Sequence, residues 1–227
     1  MSGTVGWGEA KAVQSNQRKE IERLKFVTGE TTRVRLIGAV LPRYVYWITT
    51  SEGRKLPIEC LKFDRSTGVF NENAKDPVDE IPDEIYGAGP NDKPQFAFVC
   101  NVIDREDNSV RLFDLKKTIY SQIVDLAQNP DFGNPADDKN GYILSIKKEK
   151  TGPQPQNVKY VVTPGRSNDP LTEDDLALEL YDLEAIFKRQ TYEEQKEWLM
   201  KNTNYFKLEG TEFSPESSEE TMEDLTG

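Results

Sequence analysis

The sequence predicts a mainly β protein with some helix: a small antiparallel barrel with an inserted loop subdomain and helices near its C-terminal end. Three observations lead there. Several short segments alternate apolar and polar residues with a period of two, the mark of strands with one buried face. Turn-forming residues separate these segments at hairpin spacing. A helical period appears only in one internal segment and near the C-terminus.

Residues 1–23 are polar and read as a mobile N-terminal arm, and Leu24 and Phe26 bring the chain onto a core spanning 24–204. Thr31–Ile37 is the first predicted strand, with Val34 and Leu36 on one face and Arg33 and Arg35 on the other. Gly38–Pro42 reads as a turn. Arg43–Thr50 is rich in aromatic and β-branched residues and forms the second strand. It sets Tyr44 and Tyr46 on one face, Val45 and Trp47 on the other. A Ser-Glu-Gly-Arg turn leads to a third strand, Leu56–Phe63, placed near an edge by Pro57. Residues 66–95 carry four prolines and three glycines and read as a surface insertion without strands. Phe96–Ile103 and Val110–Leu115 pair around a polar turn. Residues 116–127 place Ile119, Ile123 and Leu126 at helical spacing before the stop at Asn129-Pro130. Gly141–Glu149 and Asn157–Val162 form a last hairpin. Residues 171–204 are helical and acidic, with leucines forming an apolar stripe and residues 192–200 forming a second short helix after a kink. The tail, 205–227, has too little apolar content to fold alone. This order of elements fits a Greek-key barrel of the OB type, in which the second and third strands border a nucleic-acid groove.

The chain has no histidine. That excludes His-based general bases, Ser-His-Asp and Cys-His nucleophiles and the usual zinc sets. Cys60 and Cys100, the only two cysteines, read as reduced buried thiols. No apolar run is long enough to cross a bilayer, and no secretory leader is evident. The net charge of −11 is distributed unevenly. Residues 1–170 are balanced, with 24 basic and 24 acidic side chains, whereas 171–204 hold four basic and nine acidic and 205–227 hold one and seven. Residues 71–92 are a further acidic block, so the remaining body is basic.

Within that body, Thr32–Arg65 interleaves seven cations with Tyr44, Tyr46, Trp47 and Phe63. Cations that follow phosphates and rings that stack on bases are the two parts of a single-strand binder. The candidate phosphate contacts are Arg33, Arg35, Arg43, Arg54, Lys55, Lys62, Arg65, Arg111, Lys116, Lys117, Lys147 and Lys148. The candidate stacking residues are Tyr44, Tyr46, Trp47, Phe63 and Tyr160. Alternation divides them, and the tyrosines are favoured for the groove over Trp47. Phe96, Phe98 and Phe113 are assigned to the core.

The chain resembles the single-stranded DNA-binding (helix-destabilising) proteins of T-even-like bacteriophages. The resemblance rests on the order of VRLIG, PRYVYWITTSEGRKLPIEC, QFAFVCNVID…NSVRLFDLKKTIYSQI, GYILSIKKEK…VKYVV, the acidic leucine-rich segment and the acidic tail. It covers about residues 24–200. It implies a protein without enzymatic activity that coats single-stranded DNA in the host cytoplasm during phage replication, recombination and repair. The acidic tail would recruit replication or recombination proteins and compete with DNA, and self-association on the strand is compatible with the resemblance. Well-known members hold a structural zinc through three cysteines and a histidine after the third strand. Here that segment offers only Cys60, so no metal and no other cofactor is expected, and the insertion must be held by other contacts. The basic N-terminal motif of the family has only a weak echo in Gln17-Arg18-Lys19. The competing readings are a phage structural or assembly protein that docks through its insertion and acidic helices, and a carboxylate-metal enzyme built on Asp137-Asp138 or Asp174-Asp175. Acidic pairs in loop and helix-cap settings are usually solvated or capping.

Overall fold

The structure, a computed structural model, describes residues 20–81 and 93–205. Most of the N-terminal arm, nearly all of the acidic tail and residues 82–92 of the insertion lie outside that range. Eight strands form two antiparallel sheets. They are β1 (Thr31–Leu41), β2 (Tyr44–Thr49), β3 (Lys55–Glu59), β4 (Gln95–Phe96), β5 (Val99–Asp104), β6 (Ser109–Asp114), β7 (Leu144–Lys150) and β8 (Val158–Pro164). The larger sheet has the order β6-β5-β1-β7-β8 and the smaller β3-β2-β4. Both are open, so the predicted closed barrel is not what the strands form. The outer strands β6 and β8 do not pair. Residues 22–29 run instead from β6, where they hydrogen-bond Leu112, to Lys148 of β7.

The first strand runs further than predicted. Gly38 takes φ +72°, and the pairing with β5 shifts register between Ile37 and Val40. The bulge lets β1 continue to Leu41 where a turn was expected. Only Pro42 and Arg43 then separate it from β2, so one continuous stretch passes from sheet to sheet.

Helix α1 (Lys117–Gln128) buries Ile119 and Ile123 against the large sheet, in a core with Val34, Leu36, Val102, Phe113, Leu144 and Ile146. Its Gln122 side chain donates to the Tyr160 carbonyl and accepts from the Val162 N–H, 3.0 Å each, in place of a neighbouring strand at β8. The C-terminal helical segment holds three short helices, α2 (Glu173–Leu176), α3 (Leu183–Ile186) and α4 (Tyr192–Asn202), the last of them where a second short helix was expected at 192–200. Thr172 and Thr191 close capping boxes and Asp182 caps α3, which explains three separate starts. Its expected apolar stripe is correspondingly broken: Leu176 and Leu180 are exposed.

The insertion is more ordered than a surface excursion. Phe63 bridges Phe70, Asp76 caps a 3-10 turn at Pro77–Glu80, and Val78 and Ile81 join Tyr46, Ile48, Ile58, Cys60 and Leu199 in a second small core. At its end, β4 adds two residues to the small sheet.

Candidate nucleic-acid interface

The structure separates the predicted cations by what surrounds them. Arg35 is fully buried. Its guanidinium donates to the carbonyls of Leu36, Pro135, Asp137 and Asp169 at 2.5–2.8 Å. Burial lowers its pKa, opposed by the nearby Asp169 carboxylate. It cannot reach a phosphate: the sequence showed a polar face but not that residues 135–137 and 169 fold over it. Arg33, two residues away on the same face, is exposed.

Arg43 and Arg65 are half-buried around Glu59, which is itself buried. Arg65 grips that carboxylate at 2.7 and 2.5 Å, and Arg43 approaches it at 3.3 Å while lying over the Phe187 ring. Arg189, which the sequence reading passed over, is 3.7 Å from Glu59 and donates to the carbonyls of Leu61 and Phe63. Arg111 pairs with Asp107 and Glu22, and Lys62 with Asp79 at 2.8 Å. Hydrogen bonding to Asp79 raises the Lys62 pKa. Arg54 pairs with Glu52 on the exposed hairpin tip beside Lys55. Lys147 and Lys148 point to opposite faces of β7. The first is exposed and meets Glu149, while the second sits opposite Tyr160 with its ammonium near the Phe26 carbonyl.

The aromatics also rearrange. Alternation along β2 is as predicted, but the tyrosine face is the buried one at Tyr46. Its ring lies in the small core, and its phenol oxygen accepts from the Cys60 thiol at 3.3 Å. Burial raises both pKa values. Phe63 is buried as well. Neither ring can stack on a base from there. Trp47, disfavoured from sequence, is exposed on the outer face of the small sheet, across from Pro57. Tyr160 is half-buried against Phe26.

What the fold assembles is an aromatic junction between the two sheets. Tyr44, the first residue of β2, contacts Phe70 (ring centroids 4.8 Å), Phe96 (6.1 Å) and Phe98 (5.8 Å). Phe96 stacks on Phe98 at 4.1 Å and meets Tyr120 of α1 at 5.3 Å. Phe98 is buried as predicted, whereas Tyr44, Phe96 and Tyr120 are half-exposed and Phe70 is exposed. Lys117 precedes Tyr120 by three residues, the spacing of neighbours on one helical face, and Lys116 is the residue that caps the same helix. Both are exposed, and neither makes an ion pair among the described residues. Open rings beside unpaired ammonium groups can stack bases and hold phosphates together. Phe70, Phe96 and Tyr120 are the residues sequence reasoning missed here. The Lys-Lys-x-x-Tyr spacing on a predicted helix was the available signal for Tyr120. Phe70 gave none beyond an apolar side chain in a polar loop.

The segment after β3 does not fit a zinc ion. It offers one thiol, which is buried and bonded to Tyr46, and the chain has no imidazole. Other contacts fasten the insertion. The Asp76 carboxylate accepts from the N–H groups of Leu61 and Val78 at 2.8 and 3.0 Å, and burial raises its pKa. Gln195 of α4 donates to the Glu59 carbonyl at 2.9 Å, and Lys196 pairs with Glu80 at 2.7 Å.

Residues 97–206 match the family model described as "gp32 DNA binding protein like". The chain is also 36% identical over 151 residues to a protein of Escherichia phage T5 named "Probable ssDNA-binding protein". That alignment takes in 64% of this chain and 55% of the relative, so the chain spans about half the length of the curated relative it matches. The resemblance read from the order of sequence elements is thereby borne out.

Proposed function

We infer that this chain binds single-stranded DNA without strong sequence preference, a reading supported by the similarity of residues 97–206 to the gp32-like DNA-binding family. The observation that carries this reading is the aromatic junction: the open rings of Tyr44, Phe70, Phe96 and Tyr120 beside the unpaired Lys116 and Lys117. Every base has a π face, so rings of this kind take any sequence. The lysines add affinity through counterion release, which makes binding salt-dependent. We read the larger sheet with α1 beneath it as an opened version of an OB-type barrel, in which the junction occupies the groove.

In this reading the protein acts without catalysis in the host cytoplasm. It protects strands exposed in phage replication, recombination and repair. The acidic tail, 205–227, recruits partner proteins of those processes and competes with DNA for the cations. Titration of intrinsic tyrosine and tryptophan fluorescence with oligo-dT tests the binding. Quenching that weakens as salt rises is expected, and the absence of any complex at low ionic strength removes the reading. Deleting residues 211–227 tests the tail. Affinity for short strands should rise at low salt, and no rise would eliminate the competition.

A further inference from the structure

A second surface lies where β1 bulges. Gly38 and Ala39 have no partner on β5, and Val40, opposite Cys100, is 41% exposed although Leu41 beside it is buried. Leu180 rests over Gly38: a Cβ there would lie 3.5 Å from its Cδ1. Leu180 itself is 37% exposed and Leu176 58%. Two hollows meet at this saddle. One, of about 310 Å³, runs between the bulge and residues 180–184. The other, of about 270 Å³, runs between the bulge, α1 and Pro135, and its walls are mostly apolar.

The strap that lines the first hollow carries one sign of charge, from Asp182 and Glu184. Residues 167–187 contain seven carboxylates and no lysine or arginine. Asp169 and Asp175 are held by Arg105, and Glu184 by Arg65. Asp182 is exposed, and no cation pairs with it among the described residues. Such a border repels phosphates, so this face is no extension of a DNA path.

We propose that the bulge and the acidic strap form a docking surface for a basic amphipathic helix of a partner protein. Apolar anchors three and four residues apart on such a helix enter the two hollows on either side of Val40, the helix-in-groove mode of recognition. Its lysines or arginines face Asp182 and Glu184. The occupant is set by this pairing of an apolar saddle with an anionic border. The proposal is independent of DNA binding and stands if that reading fails.

The test uses the full chain and a fluorescein-labelled synthetic helix of leucine and lysine, with a scrambled peptide of the same composition as control. Anisotropy should show the amphipathic peptide binding more tightly than the scrambled one. Leu180→Glu should weaken it about tenfold, the scale of a lost interface anchor. The double variant Asp182→Asn, Glu184→Gln, which alters only exposed side chains and keeps a helix-capping group at 182, should weaken it as well. Affinity for oligo-dT should not fall in either variant. Hydrogen exchange should slow at 36–42 and 176–186 when the peptide is bound. Equal binding of the two peptides, or binding unaffected by both variants, overturns the proposal. A concentration-dependent dimer in sedimentation that Leu180→Glu abolishes would make the occupant a second copy and also overturn it.

Discussion

Two cation-bearing regions of this chain look alike in sequence and differ in structure. Around Arg35, Arg105 and Glu59, guanidinium groups are turned inward and matched by carboxylates and carbonyls. At the aromatic junction, Lys116 and Lys117 stand on a helix surface beside open rings and pair with nothing among the described residues. The difference follows the chemistry of the two side chains. A planar guanidinium with five donors can satisfy several acceptors at once in a dry setting, whereas a hydrated ammonium stays at the surface. Positive charge counted along a sequence therefore overstates what a ligand meets. Arginines tie segments together here, and the lysines at the junction are available for phosphates.

Replacing Arg35 breaks this contrast most forcefully. Arg35→Ala leaves buried carbonyls of Leu36 and Pro135 without their donor. A loss of about 3–5 kcal/mol in unfolding free energy is expected, the scale of removing one member of a buried charged network. Arg33→Ala, two residues away and exposed, should change stability by no more than about 0.5 kcal/mol. Urea denaturation of both variants makes the comparison, and equal effects would show that the inward network is not structural.

The same network has a pH signature. Arg105 binds Asp175 through two nitrogens, at 2.7 and 3.0 Å, and holds its carboxyl at about 2. A carboxyl depressed in the folded state stabilises the protein above its unfolded value near 4. That contribution is lost as pH falls from there toward 2. It amounts to about 2 kcal/mol. Denaturation curves between pH 7 and pH 2 should steepen in this window for the native chain and less for Asp175→Asn.

Much of the frame was legible because it rests on local pattern. Strand alternation in β1, β2 and β5–β8 and the helical spacing of α1 depend on residues close in sequence. What was not legible depends on distant partners. Nothing near Arg35 indicates that carbonyls about a hundred residues away close over it. The periodicity of β2 gave two faces and could not say which is covered, because Leu199 of α4 and Val78 of the insertion supply the cover for Tyr46. Gly38 looked like a turn since a bulge and a turn need the same backbone freedom. The junction joins Phe70 from the insertion to Tyr120 from α1, two segments with no common local signal.

The junction side of the contrast sharpens through its rings. Phe70 is exposed and should matter little for folding. Phe70→Ala should weaken oligo-dT binding by about 1–3 kcal/mol, the cost of one lost stacking platform. Trp47→Ala, on the outer face of the small sheet, should leave that affinity unchanged. The reverse result would move the DNA path from the junction to the outer face of β2 and β3.

The lysines provide the smallest and most specific effect. Each ammonium that neutralises a phosphate of a single strand contributes about 0.7 to the slope of log affinity against log salt. Replacing both Lys116 and Lys117 with alanine should therefore lower the slope by about 1.4 while the loss of affinity at high salt stays small. Arg33→Ala should leave the slope as it was. Its side chain lies on the face of β1 opposite Val34 and Leu36, and those residues share their core with Tyr44, Phe96 and Tyr120. An equal change of slope from Arg33 would mean that the strand crosses the outer face of the large sheet, and that the division between inward arginines and outward lysines does not set where DNA lies.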